Sequence, residues 1–223
     1  MEIKQLALGM VNAYLIKNNT ECFLIDTGMP MNKLKLENAL KLEGIKTEEI
    51  KLVIITHSDI DHIGNCAYLQ REKGLKIAVH DLDANQCRTG RINLNRKRKA
   101  SLFSKMVKSV LFFLVLKRLM KKFPLESFEP DIILSDGQDL NPYGLDANVV
   151  HIPGHTMGSI GILTGEGDFL SGDTINNRKK PTVADIVENE TALQSSLKII
   201  KNLSIRNVYP GHGTPFHMSE LKL

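Results

Sequence analysis

No tryptophan occurs in the chain, aromatic side chains make up only 5% of it, and its three cysteines stand far apart at Cys22, Cys66 and Cys87. An odd, scattered set with no CxxC pair argues against a secreted disulfide framework. It points to a reducing, cytoplasmic compartment, with the thiols as small apolar fillers. The opening residues, Met1 to Met10, lack a charged stretch followed by a long apolar one, so no signal peptide is expected. There is no Ser/His/Asp or Cys/His nucleophile signature, and the glycines of Gly161–Gly167 are too spread for a phosphate-binding loop. Acidic residues are missing altogether between Asp83 and Glu126, where twelve lysines and arginines fall. The rest of the chain then holds 17 basic against 25 acidic residues, so the net charge of +4 conceals an acidic body with one basic segment.

What is present is an ordinary globular composition. With 42% apolar and 24% charged residues, the chain is neither disordered nor a multispan membrane protein. Its 223 residues suit one domain, 1–223, with an insertion at about 84–125. Asn12–Ile16 and Cys22–Asp26, separated by a polar turn, predict an antiparallel strand pair. Residues Asn32–Leu42 follow helical spacing. Lys51–Thr56 reads as a strand buried on both faces, and Leu75–Val79 as another, after a helix over Asn65–Lys73. Short strands are expected at Val149–Ile152, Ser159–Leu163, Asp168–Ser171 and Arg206–Tyr209. Glu190–Leu203 reads as an amphipathic helix with Leu193, Leu197, Ile199 and Ile200 inward. The class is mixed α/β.

The segment Thr56-His-Ser-Asp-Ile-Asp-His62 directly follows a buried strand. It packs four groups able to bind a cation, His57, Asp59, Asp61 and His62, into six positions. In an extended loop, the period-two spacing puts 57, 59 and 61 on one side. Imidazole mixed with carboxylate suits zinc, iron or manganese better than calcium. Three later segments add to it: Pro153-Gly-His155, Gly172-Asp173 and Pro210-Gly-His212. Each places a donor in a sharp glycine turn at a strand end. His80, His151 and His217 read as satisfied or surface histidines, and Asp26 as a hydrogen-bonding residue near the site.

In their order along nearly the whole chain, these motifs resemble the metallo-β-lactamase superfamily. The resemblance implies a four-layer αββα sandwich with the metal site along one edge of two sheets, here carrying a basic, helical insertion. It implies two divalent metal ions, with zinc the first choice and iron or manganese the alternatives. His57 and His155 would help hold one ion and Asp61, His62 and His212 the other, with Asp173 bridging. The implied activity is hydrolysis of an ester, thioester, lactone or related small-molecule bond by metal-activated water, with Asp61 also orienting the nucleophile.

One position departs from the pattern. Asp59 stands where the family usually has a second histidine. On one reading, which is favoured, aspartate substitutes as a ligand and two ions still bind. On the other, the first position is weak and a single ion binds tightly. An ionised Asp59 makes the site less positive by one charge and so a weaker activator of water. The best-known β-lactamases of the superfamily usually have a cysteine ligand before the last histidine, and none follows Cys87 here. The resemblance is therefore nearer the hydroxyacylglutathione hydrolase, lactonase and phosphodiesterase side, although His62-Ile-Gly-Asn65 lacks the Gly-Gly pair common in the first of these.

The basic insertion has an apolar middle, Ser109–Leu116, spanning about 12 Å as helix and hence too short to cross a bilayer. A lid over the site, a homodimer contact and a peripheral membrane anchor are its three readings. A lid would favour an apolar or acyl-bearing substrate. Two other functions compete. One is a diiron redox enzyme of the same fold. The other is a degenerate metal fold that binds lipid or nucleic acid through residues 88–122, although nucleic acid is disfavoured because interleaved exposed aromatics are lacking.

Overall fold

A computed structural model describes residues 1–91, 93, 96–98, 118 and 121–223. The first sheet is built from β1 (Glu2–Ala7), β2 (Asn12–Lys17), β3 (Cys22–Ile25), β4 (Ile50–Ile54), β5 (Ile77–His80) and β7 (Ile132–Leu134), in that order across the sheet. Helices α1 (Lys33–Leu42), α2 (Ile60–Ile63), α3 (Cys66–Lys73) and α4 (Asp81–Thr89) fall between its strands. The second sheet runs β15 (Phe216–His217), β14 (Asn207–Pro210), β10 (Asp168–Gly172), β9 (Ile160–Thr164), β8 (Ala147–His151). Short ladders join β11 (Ile175–Asn176) to β12 (Thr182–Val183), and β13 (Ile186–Val187) to β6 (Lys97–Arg98). Helix α5 (Glu190–Asn202) precedes β14.

Strand alternation generates the layers. In β2, Ala13 and Leu15 point to one face, where they join Leu36 and Leu40 of α1, Cys66 and Leu69 of α3, and Cys87 of α4. Tyr14 and Ile16 point the other way, against Ala147, Val149, Ile160 and Ile162 of the second sheet. The far face of that sheet, with Val150, Phe169 and Val208, is covered by Ile200 of α5. The order is therefore helix, sheet, sheet, helix, the expected αββα sandwich. Both parallel strands β4 and β5 have two covered faces, which is why they read as unbroken apolar runs.

Element bounds differ from the sequence reading by a residue or two, and three differences have physical causes. Strand β5 starts at Ile77 rather than Leu75, because Gly74, left-handed at φ 70°, ends α3 and Leu75 is spent on the turn. Strand β1 was not anticipated, since Glu2-Ile-Lys-Gln-Leu-Ala7 is a half-exposed edge strand with few apolar positions. Ile199, expected inward on α5, is 44% exposed, because Leu193, Ser196 and Ile200 define the buried stripe one position away. Of the expected insertion at about 84–125, the described residues include most of α4 and the short strand β6. The apolar middle of the insertion, Ser109–Leu116, and with it the lid, dimer and membrane readings, lie outside the described residues. Among the described residues no helix is long and apolar enough to cross a membrane.

Candidate metal centre

At one end of the two sheets, the expected donors come together. His57 and Asp59 lie on the extended segment after β4. Asp59 then caps α2, so Asp61 and His62 sit on its single turn and not on a continued extended loop. His155 follows β8, Asp173 follows β10, and His212 follows β14. Ligand atoms of His57, Asp59 and His155 all lie within 4.8 Å of one another, as do those of Asp61, His62 and His212 and those of His57, His62 and Asp173. His212 Nε2 is 3.1 Å from Asp173 Oδ2 and 3.4 Å from Asp61 Oδ2.

Each imidazole is oriented through its other nitrogen. His155 Nδ1 donates to the Ile186 carbonyl at 2.8 Å, and His212 Nδ1 donates to the Met10 carbonyl. His62 Nδ1 donates to Asp26 Oδ2 at 2.8 Å. The Thr56 hydroxyl spends its one proton on Asp26 Oδ2, so at 3.0 Å from His57 Nδ1 it can only accept. All four rings thus carry a proton on Nδ1 and aim Nε2 at a common centre. Anchoring of this kind is what fixes metal-binding histidines. The Nε2 atoms of His57 and His62 and Oδ1 of Asp173 are buried without a hydrogen-bond partner among the described residues. Leaving three such atoms unpaired is costly unless a cation takes them. A Cβ on Gly211 would fall 2.3 Å from Asp173 Oδ1 and 2.8 Å from His62 Cε1, so only glycine lets the last turn pass this close. The donor set fits divalent ions of the zinc, iron and manganese type.

The electrostatics match. Burial pushes the His57 ring down, with His62 adding to the effect, so it stays neutral. Burial also opposes charge on His62, but the carboxylates of Asp26, Asp173 and Asp61 outweigh it and hold the ring well above its ordinary range. For His212, burial is likewise overcome by hydrogen bonds to Asp173 and Asp61, and its pKa rises to about 9. Burial pushes the Asp173 carboxyl up, yet His62 and His212 win and hold it well below its usual value.

Two residues of this centre went unread in the sequence. Asp83, buried in the first turn of α4, accepts from Ser58 N at 2.6 Å, from Thr156 Oγ1 at 3.0 Å and from Gly158 N at 3.0 Å. It ties the His57 loop to the His155 loop. Its only sequence signal is that it is the last acid before the basic segment. The other is Arg96, counted among the twelve basic residues of the insertion. Its guanidinium spans Asp59, with Nη1 2.6 Å from Oδ2 and Nη2 2.5 Å from Oδ1, and Nη1 lies 3.5 Å from His155 Nε2. Asp59 also meets His155 Nε2 at 2.9 Å and His57 Nε2 at 3.5 Å. Burial works to raise the Asp59 carboxyl, and the hydrogen bond from His155, with the His57 ring close by, holds it well below the carboxylate range nonetheless.

The remaining histidines lie apart from the donors. His80 caps α4 and stacks on His151 at 4.1 Å, His151 Nε2 meets the Met157 carbonyl at 2.9 Å, and His217 caps an exposed turn. Asp26 is not among the clustered donors but positions one of them, His62.

Comparison with known proteins agrees with this geometry. The chain is 27% identical over 206 residues to "Probable metallo-hydrolase MJ0888" of Methanocaldococcus jannaschii, covering 91% of this chain and 87% of that one. It is 24% identical to the human "Acyl-coenzyme A thioesterase MBLAC2", covering 94% and 75%. In fold it is similar to a metallo-beta-lactamase family protein, TTHA1429, of Thermus thermophilus, with a TM-score of 0.72, 23% identity, and 96% and 74% coverage. The family model described as the metallo-beta-lactamase superfamily matches residues 6–212, a span that takes in every clustered donor, and the chain belongs to that superfamily.

Proposed function

We propose that the chain is a metal-dependent hydrolase of small esters or thioesters, using two divalent ions, zinc in the first instance. The observation that carries this reading is the set of four imidazoles with anchored Nδ1 atoms and inward Nε2 atoms, facing the carboxylates of Asp59, Asp61 and Asp173. His57, Asp59 and His155 would hold one ion, and Asp61, His62 and His212 the other, with Asp173 between them. Ions bound there lower the pKa of water and polarise the substrate oxygen.

The protein's own side chains supply the rest. Asp61 is the most open of the seven donors, with 27% of its side chain exposed against 10% for Asp173, so it meets whatever enters from solvent. It orients an attacking water and holds its proton on a carboxylate oxygen. The buried Asp26 and Asp83 keep the rings and loops still, which spares reorganisation during reaction. The relative whose name specifies acyl-coenzyme A thioesters makes thioesters the first substrates to try.

A panel of esters, thioesters, lactones and phosphodiesters, run with zinc, manganese and iron separately, tests the proposal. Chelator-sensitive hydrolysis that disappears in His62→Ala is the expected result. Stoichiometric iron with oxygen or nitric oxide turnover and no hydrolysis would replace it with redox chemistry.

A further inference from the structure

The donors of the first metal position include an aspartate that already carries a cation of the protein's own. Arg96 grips both oxygens of Asp59 and stands 3.5 Å from His155 Nε2, against two of the three donors of that position. Only 7% of its side chain is exposed. Its placement is built in: immediately after it, β6 pairs antiparallel with β13, Val187 opposite Lys97 and Ile186 opposite Arg98. Ile186 is the residue whose carbonyl orients His155. Upstream, Asn93 Nδ2 donates to Glu188 Oε1 at 3.0 Å. The same stretch of backbone therefore aims the His155 ring and the arginine at one point. At the second position, by contrast, no described lysine or arginine lies within ion-pair distance of Asp61 or Asp173, whose ion-pair partners there are imidazoles.

We propose that Arg96 is a tethered cation that competes with the metal ion at the first position, so that the two ions load in order. The ion held by Asp61, His62, His212 and Asp173 enters first and tightly. The ion at His57, Asp59 and His155 enters only when the guanidinium releases Asp59. The pairing also explains how an aspartate is tolerated where the superfamily's usual loop has a neutral histidine. Arg96 cancels its charge, and Asp59 with Arg96 together are as neutral as the imidazole they replace. Ordered loading makes the activity sensitive to metal supply in a way a symmetrical pair would not be.

This inference rests on the metallohydrolase reading, and metal uptake tests the two separately. The intact metal-free protein is titrated with zinc alone against a competing chelating dye, and with cobalt alone while its visible absorption is followed. Wild type should take up two ions with well-separated affinities. Arg96→Met should tighten the weaker step by about tenfold or more, the scale of one charge-assisted pair that no longer has to break, and leave the tighter step within about twofold. Arg96→Lys, which keeps charge but loses the fork, should fall between. In an Asp59→His background, where the anchor is gone, adding Arg96→Met should change the weaker step far less, and that coupling separates displacement from plain repulsion. Equal affinities in wild type and Arg96→Met, with hydrolysis intact, would overturn ordered loading alone. No uptake by wild type at either position would overturn the metallohydrolase reading and ordered loading with it.

Discussion

At the scale of single residues, the centre is set by where protons sit. Carbonyl or hydroxyl groups and one carboxylate fix Nδ1–H on every ring, so binding a cation means freeing Nε2. His212 makes this costly at neutral pH. Hydrogen bonds to Asp173 and Asp61 overcome burial and hold it protonated to about 9. In chelated protein its raised pKa therefore contributes stability that is complete below the ordinary imidazole range and is lost as pH climbs through about 9. Metal uptake runs the opposite way. Each ion that takes His212 Nε2 must displace its proton, so apparent zinc affinity should strengthen with pH up to about 9 and flatten above. Competition titrations across that range check it, and an affinity indifferent to pH below 9 would remove His212 from the ligand set.

At the scale of elements, the first turn of α4 is the clamp. Strand β5 ends at His80, the helix starts at once, and Asp83 is thereby delivered between the two loops that carry His57 and His155. Replacing it by alanine leaves the buried amides of Ser58 and Gly158 without their acceptor, a loss of about 3 kcal/mol. Denaturant unfolding of Asp83→Ala should show that drop together with weaker zinc binding. A variant as stable as wild type would mean that the loops hold themselves. The elements themselves were largely visible beforehand. Strands β4 and β5, covered on both faces, declared themselves as apolar runs, and the helix read over Asn65–Lys73 is α3. What stayed hidden was β1, whose edge position leaves no strong pattern. On α5 only Ile199 departs from its inward reading, because Ile199 and Ile200 are neighbours and only packing decides between them.

At the scale of the whole molecule, the donors come from both sheets. His57, Asp59, Asp61 and His62 follow the first, and His155, Asp173 and His212 follow the second. An ion held by both stabilises only the assembled sandwich. At roughly a thousandfold excess over Kd, the linkage amounts to about 4 kcal/mol, or some 8–16 °C in melting temperature at this size. Thermal scans of zinc-saturated against chelated protein should show a rise of that order, and coincident curves would mean that the donors do not act together. The seven donors were legible because each sits in a short motif at a strand end. Arg96 was not. It meets Asp59 only through the pairing of β6 with β13, and in the sequence it is one arginine in a run of basic residues that reads as a solvated face.

The last histidine is latched by the first hairpin. Met10 holds its ring, Asn12 N donates to the Gly211 carbonyl at 2.8 Å, and the Asn12 side chain reaches Pro210 O and Gly213 O. During synthesis on the ribosome, residues 1–155 can emerge with three of the four imidazoles, yet the fourth and its fastening cannot exist until the segment around residue 212 is made. On the proposed metallohydrolase reading, competence to react would switch on late and all at once, and chains broken off before that point should be inert rather than partly active.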